Sequence, residues 1–324
     1  MYAAPATGAP RAPTQHDGSP PDPEDDFPVQ PDPSIGAVVS QQTNRTRSGW
    51  KKMTTAERSP RIALGVIAFV VGGVLGAVVG AEGTRAIAMR GAPEAMLYET
   101  PILVVLGILG ALVPTAVVIV LSLVTRKRRA TFVGTEGVME WSSGLLGPSS
   151  RVLRFVDAHE LRVQRVRQFV NGVYSGTFYT YTWTGPQGGQ VFRLNGSYRD
   201  TEPVVAHDPV AFAFAAENAW TRHKISLVDR ALRAEGVARF PSGSGTIGVG
   251  RGFLELLVGG RTERIDRTDI ESVHAQQGTL VIRRRGAKEG FFSSEGVFKF
   301  PIAQMADFTV FAITLEEQLQ LKLT

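Results

Sequence analysis

Chemistry in this chain would have to be built from five histidines, two acidic pairs at turn spacing, one glycine-rich stretch and two basic runs. The histidines, His16, His159, His207, His223 and His274, show no pair at metal-ligand spacing, so no metal is expected. His223 falls on a predicted helix and reads as a core or interface residue. Asp157 with Glu160, and Asp266 with Asp269, suit turns and caps better than a split acid–base pair. The stretch GSGTIGVGRG at 243–252 lacks the Lys-Ser/Thr of a phosphate loop and opens a strand, so its amides would not converge on an anion. No nucleophile elbow appears. The expectation is a protein with no catalytic residues, no cofactor and no metal.

The basic runs are Arg126, Lys127, Arg128 and Arg129, and Arg283, Arg284 and Arg285 with Lys288. On an alternating strand Arg283 and Arg285 share a face and Arg284 takes the other. Both runs are candidate contacts for anionic lipid, each cation near such a surface contributing about 1 kcal/mol. A solvated edge strand, protected from pairing by its charges, is the competing account of the second run. Net charge is +5, the signs alternate and no recognition module is present, which disfavours nucleic acid.

Two apolar runs dominate the hydropathy pattern. Residues 62–81 (IALGVIAFVVGGVLGAVVGA) and 101–125 (PILVVLGILGALVPTAVVIVLSLVT) carry no charge, and each is long enough as a helix to cross a ~30 Å hydrocarbon core. They predict a two-helix transmembrane hairpin with a short exoplasmic loop at 82–100. Lys and Arg flank the hairpin, in 49–61 and again at 126–129, which predicts a multi-pass inner-membrane protein with both termini cytoplasmic. Gly72, Gly76 and Gly80, and Gly107, Ala111 and Thr115, recur at four-residue spacing and predict helix packing, within the hairpin or between copies as a homo-oligomer. With no ionisable residue inside either run, the spans read as an anchor.

The elements that must position everything else lie outside those runs. Residues 1–48, rich in Pro and Asp, predict a disordered tail. From residue 130 onward the pattern is strands followed by a helix, twice, in units of 130–235 and 236–324. In the first unit Asn171-Gly172 marks a tight hairpin, and Asp208-Pro209 starts a helix bearing Phe212, Ala216, Ala219, Trp220 and His223. In the second, 247–256 parallels 132–141, with Gly252 matched to Gly137 and Glu255 to Glu140. DRTDI at 266–270 is matched to DAHEL at 157–161. A closing helix carries Met305, Phe308, Phe311, Leu315 and Leu319. This grammar predicts an internal duplication.

The strings EGVMEW, LRFVDAHELRVQ, NGVYSGTFYTYTW and GVARF…IGVGRGFLEL…RIDRTDIESVHAQQGTLVIRR resemble a bacterial membrane-anchored family of unknown function with tandem pleckstrin-homology-like domains. That resemblance covers about 132–319. It departs at 264–266, where a tryptophan is expected, and at Asn195, where an acidic pair is missing. It implies a membrane-anchored α+β protein with two small β-barrels, each closed by a C-terminal helix, and no chemistry. The resemblance carries no function; the residues lead to the expectation of a non-enzymatic protein that presents its tandem domains to a cytoplasmic or membrane protein partner, with sensing of an anionic lipid surface through 126–129 and 283–288 as the alternative and an unrecognised enzyme as the third reading.

Overall fold

The computed structural model describes residues 12–44, 66–76, 78–79, 81–82, 85, 105, 108, 112–117, 128–144, 147–205, 208–243, 245–290 and 293–323. Alternating apolar residues punctuated by Gly pairs give fourteen strands: β1 (Val38–Thr43), β2 (Arg128–Gly134), β3 (Gly137–Gly144), β4 (Gly147–Arg154), β5 (Glu160–Val170), β6 (Val173–Thr184), β7 (Gln190–Tyr198), β8 (Val237–Ser242), β9 (Gly245–Gly250), β10 (Phe253–Val258), β11 (Arg261–Asp266), β12 (Ile270–Gln276), β13 (Thr279–Gly290) and β14 (Ser293–Pro301). Helix α1 (Pro209–Glu235) follows β7, and α2 (Phe308–Leu319) follows β14. The strands form four antiparallel sheets, ordered β1-β2-β3-β4, β5-β6-β7, β11-β10-β9-β8 and β12-β13-β14. Four strands, a 3-10 turn, three strands and a helix therefore occur twice.

Each unit is a pair of small open sheets, which corrects the expected closed barrels. Among the described residues the first and last strands of a unit are not paired with each other. The first core packs Val133, Val138, Leu161, Tyr181 and Trp183 against Phe212, Ala216 and Trp220 of α1. The second packs Ile247, Leu254, Ile265 and Ile282 against Phe311 and Leu315 of α2. Helix α1 rises about 40 Å over its 27 residues, and its last turns lend Val228 and Leu232 to the second core. It starts at the expected Asp208-Pro209 and ends on Gly236 in the left-handed region (φ 75°). Asn171 and Gly172 both have positive φ (51° and 79°), as their hairpin requires.

The tail is not disordered over 12–44. Val38–Thr43 is the edge strand of the first sheet, paired with β2 across a long excursion of chain. Asn44 donates its backbone N–H to the Arg129 carbonyl (3.1 Å), and the Arg129 N–H returns a bond to the Asn44 side chain (2.7 Å). The excursion thus leaves and re-enters at one point. Ile35 is fully buried beside Phe132 and Met139, with Phe27 and Val29 around them, so this segment covers the outer face of the sheet. Gly134 permits that approach: a Cβ there would stand 2.1 Å from the Ile35 carbonyl oxygen.

No helix among the described residues is long and apolar enough to cross a membrane. The expected transmembrane hairpin, the membrane as integral partner and the multi-pass inner-membrane placement are corrected accordingly. Of the predicted packing positions, Gly72, Gly76 and Thr115 lie on described helical residues; Gly80, Gly107 and Ala111 lie outside the described residues.

The strand order of the first unit recurs in the second, and the expected residue match is displaced, by one residue at Gly137 and by three at Asp157. The two-residue turns Thr135-Glu136 and Arg251-Gly252 set Gly134 opposite Gly250 and Gly137 opposite Phe253. The 3-10 turns Phe155–Asp157 and Arg267–Asp269 likewise match Asp157 to Asp269, not to Asp266.

Candidate functional site: a polar pocket in the first unit

Pairing registers give each four-stranded sheet a set of transverse rows. One inward row of the first sheet is Ser40–Val133–Val138–Leu153, and its counterpart in the second unit is Ala238–Val249–Leu254–Ile265. Apart from Ser40, which stands where the second unit has Ala238 and is bonded to His16, these rows agree in character and belong to the two cores. The next row does not agree. In the second unit it is Phe240–Ile247–Leu256–Glu263, of which the first three are buried in the core. In the first unit it is Gln42–Thr131–Glu140–Arg151. Three apolar core positions have become an amide, a hydroxyl and a carboxylate.

That row lines a pocket of about 500 Å³, within the range of small-molecule sites. Arg129 on β2, Tyr179 on β6, Arg193 and Gly196 on β7, and Asp208 and Phe212 at the start of α1 complete the wall. Glu140 pairs with Arg151 (3.5 Å), and Arg151 also donates to the Arg193 carbonyl (2.7 Å) and lies over the Phe192 ring (4.5 Å). Tyr179 is 2 % exposed, and its hydroxyl stands where a Cβ on Gly196 would be, 2.5 Å from that position. Burial pushes its pKa up to about 12, helped by Asp208 and Glu140 and opposed by Arg129, so the phenol stays a neutral donor. Gln42 is 7 % exposed. Among the described residues neither the Gln42 amide nor the Tyr179 hydroxyl has a hydrogen-bond partner, and the Arg129 and Arg193 guanidiniums make no ion pair.

The N-terminal segment packs behind two lining residues, Thr131 and Phe212. Thr14 runs beside Ser40, and His16 reaches in between β1 and α1. Its Nδ1 meets Ser40 Oγ (2.7 Å), its Nε2 meets Thr131 Oγ1 (2.8 Å), and its ring lies 5.3 Å from that of Phe212. Burial drives its pKa down to about 3 against a small opposing pull from Asp17.

A second polar cluster ties the two units together. Asp307, buried just before α2, accepts from Trp220 Nε1 (2.7 Å) and the Leu161 N–H (3.0 Å), and pairs with Lys224 (3.3 Å). Burial raises its pKa, with Lys224 and the two donors pulling the other way. Beside it, Glu217 accepts from Arg165 (2.7 Å) and from Thr309 of α2 (2.7 Å). Each group in this cluster is matched by another, which makes it an internal joint.

The residues singled out in sequence are dispersed. Arg129 alone of the first basic run reaches the pocket; Arg128 is exposed, and Arg126 and Lys127 lie outside the described residues. In the second run Arg284 is held by Glu263 (3.3 Å) and Asp269 (3.6 Å), Arg283 is half-buried, Arg285 is exposed, and Lys288 falls beyond a register break in β13. Asp157 is spent on Arg154 (2.6 Å) and Glu160 on Arg162 (3.1 Å). Gly245–Gly250 is strand β9, as its reading required. His159, His223 and His274 are scattered, and His207 lies outside the described residues. Among the described residues no three metal-ligating side chains gather. Sequence reasoning missed Gln42, Thr131, Glu140, Arg151, Tyr179 and Arg193, and the signal that would have found them is the comparison of the two units in their correct register.

Compared with known proteins, the chain matches no family model and no curated protein sequence.

Proposed function

We propose that this is a non-enzymatic binding protein, in which two jointed strand-rich units form the scaffold and the first unit's pocket receives a group from a partner molecule. The observation that carries this reading is the exchange of Phe240, Ile247 and Leu256 in one unit for Gln42, Thr131 and Glu140 in the other. A fold that needs only to be stable has no reason to interrupt a core row with polar groups. Sites that serve binding carry such groups at a cost in stability. The pocket's titratable groups are a neutral phenol, the Glu140–Arg151 pair, Asp208 and arginines, which suits holding a ligand and offers no nucleophile with an adjacent base.

The test is Glu140→Leu, which installs the second unit's residue in the first. The full chain is expected to keep or gain stability, by about 1 kcal/mol in urea denaturation. A loss of more than about 1 kcal/mol would show that Glu140 serves the fold, and the reading would be abandoned.

A further inference from the structure

We infer that the pocket takes a small uncharged polyol, of the size of a monosaccharide or cyclitol, held in the notch between Gln42 and Glu140; this rests on the binding role just proposed. Two side chains more than nine-tenths buried carry the argument, Gln42 at 7 % exposure and Tyr179 at 2 %. Gln42 stands beside Thr131 on the inward row, and Tyr179 alternates along β6 with the core residues Tyr181 and Trp183, so both point between the sheets. An amide or phenol left unpaired in a closed core costs stability. The fully enclosed, unpaired side-chain polar atoms among the described residues are Arg162 Nε, Trp183 Nε1, Thr221 Oγ1 and Ser242 Oγ. The Gln42 amide and the Tyr179 hydroxyl are not among them. Their bodies are packed, and their tips open onto the cavity that both line.

The row is also shaped. Gln42 and Glu140 are long, Thr131 between them is short, and its hydroxyl is turned to His16 Nε2 (2.8 Å). Neighbouring strands stand about 4.8 Å apart, so the two long side chains flank a gap about 10 Å wide at the backbone. Leu194 and Phe212 add apolar wall, against which the C–H face of a ring can rest. The charges of the lining are balanced, Arg129 and Arg151 against Glu140 and Asp208. Arg193, exposed between buried Phe192 and Leu194, brings only its carbonyl, which accepts from Arg151. An anion would meet Glu140 and Asp208 as like charges, and an ammonium would meet Arg129 and Arg151. A hydroxyl both donates and accepts, so neighbouring hydroxyls of one molecule can give to Glu140 while taking from Gln42, Tyr179 or Arg151.

The experiment is calorimetric titration of the full chain with myo-inositol, D-glucose and N-acetyl-D-glucosamine. Citrate and glycine are the charged comparisons, and cyclohexanol is the comparison with a single hydroxyl. At least one polyol is expected to bind more tightly than all three comparisons, with an affinity that salt does not change. Gln42→Leu and Tyr179→Phe should each weaken that binding tenfold or more. Both should keep or raise the urea midpoint, because neither polar tip is paired within the fold. Gln164→Leu, at an exposed position of β5, should change nothing. Unchanged binding in Gln42→Leu and Tyr179→Phe, or equal loss in Gln164→Leu, would overturn the assignment. A lower midpoint in either pocket variant would do the same, by revealing a partner inside the fold. So would preference for citrate or glycine over every polyol, or no polyol binding at about 50 mM. Those two results leave the binding role to the stability of Glu140→Leu, which separates failure of the ligand class from failure of the site.

Discussion

His16 sets a quantitative test of how the N-terminal segment is held. In the folded chain its imidazole is neutral to about pH 3, whereas once released it titrates near 6.5. A base whose folded pKa is depressed contributes stability that is complete above 6.5 and drains away as pH falls toward 3. Each unit of that interval is worth about 1.4 kcal/mol, so at pH 5 the segment should be weaker by about 2 kcal/mol than at pH 7.5. Urea denaturation of the full chain at both pH values, beside His16→Gln, isolates this contribution, because the other titrating groups are common to both proteins. The glutamine variant loses the contact with Phe212 and starts lower, but it lacks the proton-linked part of the decline. A second readout is the His16 Hε1 resonance, expected to stay flat from pH 8 to 4.5. Equal pH dependence in the two proteins, or a His16 titration centred near 6.5, would refute the buried, neutral imidazole and the docking of the segment with it.

Asp307→Ala should cost about 3 kcal/mol, since it strands the Trp220 and Leu161 N–H groups and takes the counter-charge from Lys224, which keeps its bond to the His159 carbonyl. Asp307→Asn, which keeps an acceptor, should cost less, and a loss below about 1 kcal/mol for the alanine would remove the joint from the account. Gly134→Ala forces a methyl group onto the Ile35 carbonyl and should destabilise by about 2 kcal/mol. Amide exchange in that variant should rise across 12–44 while the second unit stays protected; uniform exchange would show that the segment does not depend on this contact.

Local signals carried much of the fold. Asn171-Gly172, Asp208-Pro209 and the spacing of Phe308, Phe311, Leu315 and Leu319 are each decided within a few residues of themselves, and the hairpin and both helices appear there. Strand β1 was hidden because VVSQQT has weak alternation and sits in proline-rich surroundings, while its partner β2 lies far along the chain. The pocket was hidden for a related reason. Its row crosses four strands, and no window of sequence contains it. Matching Gly137 with Gly252 also set Glu140 against Glu255, which looks like identity. Moving the match by one residue sets Glu140 against Leu256, and only then does a carboxylate stand out at a core position. The apolar runs were the strongest signal in the sequence, yet among the described residues they supply no helix of spanning length.

Because Asn44 and Arg129 are bonded to one another, the body formed by 12–44 and 128–323 is topologically whole without what intervenes. A truncation that begins at residue 130 would discard the rim of its own sheet, baring Phe132, Met139 and Trp141 and an unpaired margin prone to self-adhesion. Splicing 44 to 128 through a short glycine turn would instead preserve every strand, giving the natural boundary for a minimal domain.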